Sequence, residues 1–352
     1  MPRRGPALSS PEPLAAREPG VGRAPTGGWT GGELVAERVV MATRCAVHLA
    51  VPDGADPARL EAAASEALEV LASVEAACTR FRPDSPLMRA NRTPDAWHRV
   101  PPVLLEAVAE AKRAHDRTGG RVDPRVLRTL VALGYDRTLS FGHGPVDLAP
   151  VDRAAPRGCR GHGGAFRPGI RRATGEVRLG PEPIDLGGIG KGLAVRWAAA
   201  TLGRTTSDFL VDAGGDLACR GGPRGGGPWL VGVEDPTGPD RATEPLAVLG
   251  LRDRAVATSS IRLRRWRAGA RAVHHLIDPR TGRPGGEGLL AVTVVGRDPA
   301  VAESWSKALF VAGRRHLGRL ARRRGLAALW VDEDGKVATT REIEGYLEWR
   351  RH

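Results

Sequence analysis

The chain has 352 residues, 41% of them apolar, and a formal net charge of +13, which together indicate one or two globular domains and exclude wholesale disorder. Only four of the 53 basic residues are lysines, a skew typical of a GC-rich genome, and only 4% of the residues are aromatic. Stacking platforms for nucleic acid are therefore scarce and we expect no nucleic-acid partner, although a basic surface attracts phosphorylated ligands.

The first 33 residues are rich in Pro, Gly, Arg and Ala and are predicted to be a disordered leader. They contain neither the apolar region of a signal peptide nor a lipobox cysteine. The four cysteines of the chain are far apart and form no C-x-x-C pair, which excludes zinc ribbons and thioredoxin-type motifs. No apolar run reaches the roughly 18 residues of a membrane span. These features predict a cytoplasmic protein.

The predicted domain covers residues 34–345 and is followed by a tail, 346–352. Alternating β-branched residues predict a strand pair or one long bent strand over 35–51, and Asp56-Pro57 begins a helix to about Glu75. The later predicted elements are helices over 102–117 and 123–134, an irregular surface excursion with one late strand over 137–183, a helix over 190–203, strands near 208–219, 228–234, 245–251, 254–259, 272–278 and 289–296, helices from Pro299 to about Gly313 and on to Gly325, and strands over 327–332 and 336–340. This order predicts an α+β fold.

The densest chemical signal is the segment DLGGIGKGLA, residues 185–194. Glycine amides at the start of a helix bind anions, and Lys191 could add a positive charge beside a pyrophosphate. A Walker A loop does not fit because Lys191 is followed by Gly192, and no Rossmann unit fits here either. A glycine-rich turn before an ordinary helix is the alternative interpretation.

Two further segments carry polar or aromatic candidates. In AGGD, residues 213–216, the glycines indicate either a ligand that crowds the backbone or a β-bulge. The polar loop 79–91 contains one aromatic residue, Phe81, which belongs either to the core or to a stacking surface.

Two more candidates lie near the C-terminal end. His274 and His275 are adjacent on a predicted strand, so they should point to opposite faces and be poor joint ligands for one metal. The segment DPRTG, residues 278–282, is typical of a turn. Glu303 and Lys307 share one helical face, and a solvated surface ion pair is the simplest interpretation of that spacing.

Taken in order, these segments resemble the ApbE family, the FAD:protein FMN transferases. The matching elements are Met41-Ala42-Thr43, the loop from Thr79 to Asn91, GGRVDP (119–124), DLGGIGKG (185–192), AGGD (213–216), ATSS (257–260) and HHLIDPRTG (274–282). The resemblance covers about residues 35–340 and implies a T-fold-like α+β domain with FAD in a cleft between two lobes. It also implies transfer of FMN from FAD to a threonine hydroxyl of an acceptor flavoprotein, with release of AMP.

The resemblance assigns roles to individual residues. FAD would contact Met41, Phe81, Val122, Asp123, Asp185, Lys191, Asp216, Thr258 and Ile277, the catalytic residues would be His275 and Asp278, and Gly188 and Glu303 would hold Mg²⁺. Two departures from the family pattern stand out. The metal helix of the family carries Asp and Thr four residues apart, where this chain has Glu303 and Lys307. A carboxylate still binds a hard cation, but an ammonium would replace or weaken it. Residue 42 is alanine where the family has glycine.

Two other activities fit the same residues. An FAD pyrophosphatase would hydrolyse FAD to FMN and AMP, with water in place of the acceptor hydroxyl. A flavin-binding relative that lost transfer through Lys307 would hold the flavin and release no AMP. A nucleic-acid module is a distant alternative that rests on the arginine-rich composition alone.

Overall fold

A computed structural model of the chain describes residues 26–30, 32–137, 139, 146–148, 164–238, 244–268 and 271–351. The predicted leader up to residue 25 and a large part of the predicted excursion lie outside the described residues.

The helices are α1 (Pro57–Cys78), α2 (Pro86–Arg92), α3 (Pro102–Thr118), α4 (Leu127–Ala132), α5 (Gly190–Leu202), α6 (Pro299–Ala312), α7 (Arg314–Arg323) and α8 (Arg341–Glu344), with a short 3-10 helix at Pro124–Val126. The strands are β1 (Thr26–Thr30), β2 (Glu33–Val40), β3 (Thr43–Ala50), β4 (His98–Arg99), β5 (Val146–Leu148), β6 (Gly169–Arg171), β7 (Glu176–Arg178), β8 (Phe209–Ala213), β9 (Leu217–Arg220), β10 (Trp229–Val233), β11 (Ala247–Leu251), β12 (Arg254–Ser260), β13 (Arg265–Ala268), β14 (Arg271–His274), β15 (Ile277–Asp278), β16 (Arg283–Pro284), β17 (Leu289–Gly296), β18 (Ala327–Asp332), β19 (Val337–Thr339) and β20 (Leu347–Arg350).

A nine-stranded antiparallel sheet, in the order β1-β2-β3-β8-β9-β12-β17-β18-β19, organises the described part of the chain. Val211 of β8 packs into the main core with α1, α5 and α6, whereas its neighbour Leu210 packs into a second core with β10 and β11. Because alternate strand residues face opposite sides, the sheet is buried on both faces here. The predicted α+β class is confirmed.

The ends of the predicted domain were wrong in two places. β1 lies inside the predicted leader, where its backbone pairs with β2 and Trp29 Nε1 donates a 2.9 Å hydrogen bond to Glu61 of α1. β20 lies inside the predicted tail and pairs with β11. Both strands are short and have little hydrophobic alternation, so only their pairing to longer strands identifies them.

The predicted irregular segments also contain regular structure. In the excursion, β6 and β7 form a hairpin that extends to β4, and β5 pairs in parallel with β13. These strands have three residues or fewer, too few for a sequence pattern. The polar loop 79–91 runs into α2, which begins at Ser85, whose Oγ accepts a 3.1 Å hydrogen bond from the Met88 amide.

Two predicted strands are each divided by a turn. The one near 208–219 forms β8 and β9, joined through Gly214 and Gly215 at φ values of +67° and +92°. The one near 272–278 forms β14 and β15. The glycines of the AGGD segment therefore serve a tight turn, a third outcome beside the bulge and the crowding ligand.

The turn between β2 and β3 places two L-residues in the left-handed region, Met41 and Ala42, each at φ +55°. An alanine there costs roughly 1 kcal/mol relative to glycine. We expect Ala42→Gly to raise the free energy of unfolding by about 1 kcal/mol in urea titrations. Ala36→Gly, inside β2, is the matched control and should lower it by roughly 0.5–1 kcal/mol. A loss of stability in Ala42→Gly would contradict this account of the turn.

Candidate active site

The glycine-rich segment before α5 brings that helix unusually close to α6. A Cβ added at Gly192 would lie 2.6 Å from the Pro299 carbonyl oxygen, so only glycine fits at this crossing. The close approach lets the Gly192 amide donate a 2.8 Å hydrogen bond to Oε2 of Glu303. At least one glycine of DLGGIGKG thus serves helix packing, and it also positions a buried carboxylate beside Lys191.

Lys191, the second residue of α5, forms an ion pair with Asp216, which follows the turn between β8 and β9. The Asp216 carboxylate is almost fully buried and also accepts a 3.3 Å hydrogen bond from the Thr258 amide of β12. Burial disfavours the ammonium, but the negative charges of Asp216 and Glu303 outweigh it and raise the pKa of Lys191. Three predicted contacts of FAD therefore meet around one fixed positive charge.

Glu303 and Lys307 form a buried ion pair within α6. Lys307 Nζ donates a 2.8 Å hydrogen bond to Glu303 Oε1; the side chains are 0% and 15% exposed. The interpretation as a solvated surface pair was therefore wrong, since the spacing alone could not show that this face of α6 packs inward. Burial raises the pKa of Glu303 despite the nearby positive charge of Lys307. The Lys307 stem also passes Gly188, with its Cδ 3.8 Å from where a Cβ would be.

The residues at the predicted metal position do not fit Mg²⁺. The Glu303 oxygens already accept hydrogen bonds from the Gly192 amide and the Lys307 ammonium. The third group at this place, Gly188, lies against the Lys307 stem, so a cation here would meet the ammonium instead of a free ligand. Among the residues described, no group of three or more His, Cys, Asp or Glu side chains could hold a metal ion.

His275, directly after β14, reaches the same site. Its Nδ1 lies 3.3 Å from the Arg264 carbonyl oxygen, and since a carbonyl can only accept, Nδ1 carries the proton and Nε2 keeps its lone pair. Burial, together with the positive charges of Arg264 and Lys307, holds the pKa of His275 well below its usual range. The imidazole is therefore neutral near pH 7 and can accept a proton.

His274 has a different environment from His275. Its ring meets the Phe310 ring of α6 edge-on at 5.9 Å, and its Nδ1 accepts a 3.2 Å hydrogen bond from the Leu276 amide. Burial lowers its pKa to about 4. His274 therefore packs in the protein, and the two rings have separate roles, as expected for adjacent residues with different orientations.

A second group of predicted residues surrounds Asp185. Arg80 Nε lies 3.3 Å from Asp185 Oδ1, and the Arg80 guanidinium stacks 4.3 Å from the ring centres of both Phe81 and Tyr135. Phe81 is half-buried and packs on a small core cluster, so core and stacking surface are combined in it. Sequence reasoning missed Arg80, although the 79–91 motif contains it.

Asn91 is a second residue of that motif with a structural role that the sequence did not reveal. Its Nδ2 donates to the Ile184 carbonyl and its Oδ1 accepts from the Ile184 amide, both at 2.8 Å. This two-point contact fixes the backbone directly before Asp185. The motif residues 79–91 and 185–192 are thus held together through one side chain.

Five predicted residues lie outside this cluster of charges. Val122 and Ile277 are buried in hydrophobic clusters, and Met41 is partly buried against the main core at the β2–β3 turn. The carboxylates of Asp123 and Asp278 each cap a turn and bind an arginine two residues later, Arg125 and Arg280. None of the five shares a hydrogen bond or ion pair with Lys191, His275 or Lys307 in the described structure.

A family model described as ApbE family matches residues 41–330. The chain belongs to the ApbE family. Among curated relatives of this ApbE-family chain, the FAD:protein FMN transferase of Salmonella typhimurium is 30% identical over 76% of this chain and 74% of its own length. The enzyme of the same name from Klebsiella pneumoniae is 28% identical over 84% of this chain and 82% of its own length.

The fold also matches solved ApbE structures. The crystal structure of the ApbE protein from Thermotoga maritima superimposes with a TM-score of 0.75 at 24% identity, covering 91% of this chain and all of that one. None of the described helices of this ApbE-family member is long and apolar enough to cross a membrane.

Proposed function

We propose that this chain transfers FMN from FAD to a threonine hydroxyl of an acceptor flavoprotein. The new bond joins the threonine oxygen to the FMN phosphorus, the anhydride bond of FAD breaks, and AMP leaves with its phosphate. The observation that carries this proposal is the buried ion pair of Lys191 and Asp216 beside His275, in a chain whose curated relatives are FAD:protein FMN transferases.

The site offers the two functions that the reaction needs. A pyrophosphate develops negative charge on its bridging and leaving oxygens, and a fixed ammonium such as Lys191 stabilises it. The attacking hydroxyl must lose its proton, and Nε2 of neutral His275 is available to accept it. We assign no step to Mg²⁺, because Lys307 already brings a positive charge to Glu303.

The nucleotide products separate this activity from its alternatives. Incubation of the protein with FAD and a candidate acceptor should give AMP and no equivalent amount of free FMN. An FAD pyrophosphatase would release equal amounts of FMN and AMP without an acceptor, and a flavin-binding relative would release neither.

The role of Lys191 in binding is tested separately. We expect Lys191→Met to weaken FAD binding roughly 10- to 100-fold, the value of a hydrogen bond to a charged group, and to leave riboflavin binding unchanged. Lys112→Met is the matched control, because Lys112 forms an exposed pair with Asp116 on α3. Flavin fluorescence titration gives both affinities, and equal loss for riboflavin would mean that the variant perturbs the fold.

A further inference from the structure

Arg264 lies opposite His275 at the open end of the β13–β14 hairpin. The hairpin pairs Arg265 with His274, so the next position outward pairs Arg264 with His275. The 3.3 Å contact between the Arg264 carbonyl oxygen and His275 Nδ1 continues that register. Arg264 therefore belongs by position to the site that contains His275.

The side chain of Arg264 lies on the inward face of the hairpin. Alternate residues of a strand share a face, and Trp266, two positions on, is almost fully buried. The intervening Arg265 is exposed, whereas Arg264 is half-buried. The chain thus places one arginine toward the protein and its neighbour toward solvent.

The charge of Arg264 reaches both sides of the site. Its guanidinium lowers the pKa of Lys191, at the start of α5, and the pKa of His275, on the hairpin. A positive charge that acts on both groups lies close to the space between them. That space is where the reacting phosphate stands in the proposed function.

No protein anion neutralises this guanidinium within the described ranges. Arg264 has no ion pair or side-chain hydrogen bond there, whereas the other arginines that are withdrawn from solvent have a carboxylate partner. Examples of such pairs are Arg80 with Asp185, Arg196 with Glu110 and Arg262 with Glu234. A half-buried guanidinium beside an ammonium is costly without an anion, and a phosphate matches its fork of donors.

We infer that Arg264 binds the pyrophosphate of FAD, together with Lys191, and stabilises the phosphoryl group as it transfers. This inference rests on the proposed function for the identity of the ligand. The guanidinium supplies two parallel donors to phosphate oxygens, while its backbone carbonyl sets the tautomer of His275. One residue thus connects phosphate binding to the base.

The test compares Arg264→Gln with its exposed neighbour variant Arg265→Gln. We expect Arg264→Gln to raise the Kd for FAD at least about 10-fold and to lower turnover roughly 10²- to 10³-fold, with the Kd for riboflavin unchanged. Arg265→Gln should change each quantity less than about twofold. Glutamine keeps the backbone contact to His275, so the loss reports the guanidinium.

Three results would overturn the inference. They are unchanged FAD affinity in Arg264→Gln, equal losses in both variants, which would indicate general surface charge, and an equal loss of riboflavin affinity, which would indicate misfolding. If the wild type transfers no FMN but the two variants still differ in FAD affinity, the proposed function fails and the phosphate site at Arg264 stands.

Discussion

Replacement of His275 by alanine should lower FMN transfer by roughly 10²- to 10⁴-fold, the usual contribution of a positioned general base. The imidazole is half-buried, its Nδ1–H is directed to the Arg264 carbonyl oxygen, and its depressed pKa keeps it neutral near pH 7. No hydrogen bond of this ring supports the flavin or the core, so FAD affinity should change little. Steady-state turnover and flavin titration of the same protein measure both effects.

His274→Ala is the control for that experiment. Its ring packs on Phe310 and its Nδ1 accepts a backbone hydrogen bond, so the variant should lose stability and keep most of its turnover below its unfolding temperature. Equal loss of turnover at the two positions would show that the hairpin, and no single imidazole, supports activity. The base would then have to be sought elsewhere.

Lys307→Thr should turn an enzyme with little response to Mg²⁺ into one that depends on it. At an effective dielectric of 20, two unit charges 4 Å apart interact by about 4 kcal/mol, so the Lys307 ammonium strongly disfavours a divalent cation at Glu303. We expect wild-type turnover to change less than about twofold when Mg²⁺ is removed with a chelator. The turnover of Lys307→Thr should rise steeply with Mg²⁺, and an added Glu303→Ala should abolish that rise.

The same variant has a readout that does not need activity. Loss of one partner of a buried ion pair costs roughly 3–5 kcal/mol, because the other charge remains buried and unpaired. Lys307→Thr should therefore be destabilised without Mg²⁺ and recover with it, as measured by thermal unfolding. Lys112→Thr removes the exposed pair with Asp116 at the same spacing and should change stability by less than about 0.5 kcal/mol at any Mg²⁺ concentration. Superimposable Mg²⁺ titrations of wild type and Lys307→Thr would remove Lys307 from the mechanism.

Long elements and linear motifs could be predicted from the sequence. The face of α1 with Leu60, Leu68 and Leu71 is buried as the helical spacing predicts, and Lys191 and Asp216 meet as the resemblance implies. Linear order could not show which residues of a motif point inward. Val122 and Asp123 belong to a matching segment, yet one side chain packs in the core and the other caps a turn.

The remaining differences come from contacts between distant segments. The spacing of Glu303 and Lys307 suits a surface pair, and only the packing of α6 against α5 buries it. Arg264 carries no motif signal, because a single arginine in a chain with this many is uninformative until the hairpin register places it opposite His275. Short strands such as β1 and β20 are visible only through their pairing partners.

The intact mass of an acceptor flavoprotein after incubation with FAD and this enzyme tests the central claim most directly. The proposed reaction predicts a gain of one FMN less one water per acceptor, an equal amount of AMP, and no gain in an acceptor whose target threonine is replaced by alanine. An unchanged acceptor mass, with FAD converted to free FMN and AMP in the same tube, would contradict FMN transfer and establish hydrolysis instead.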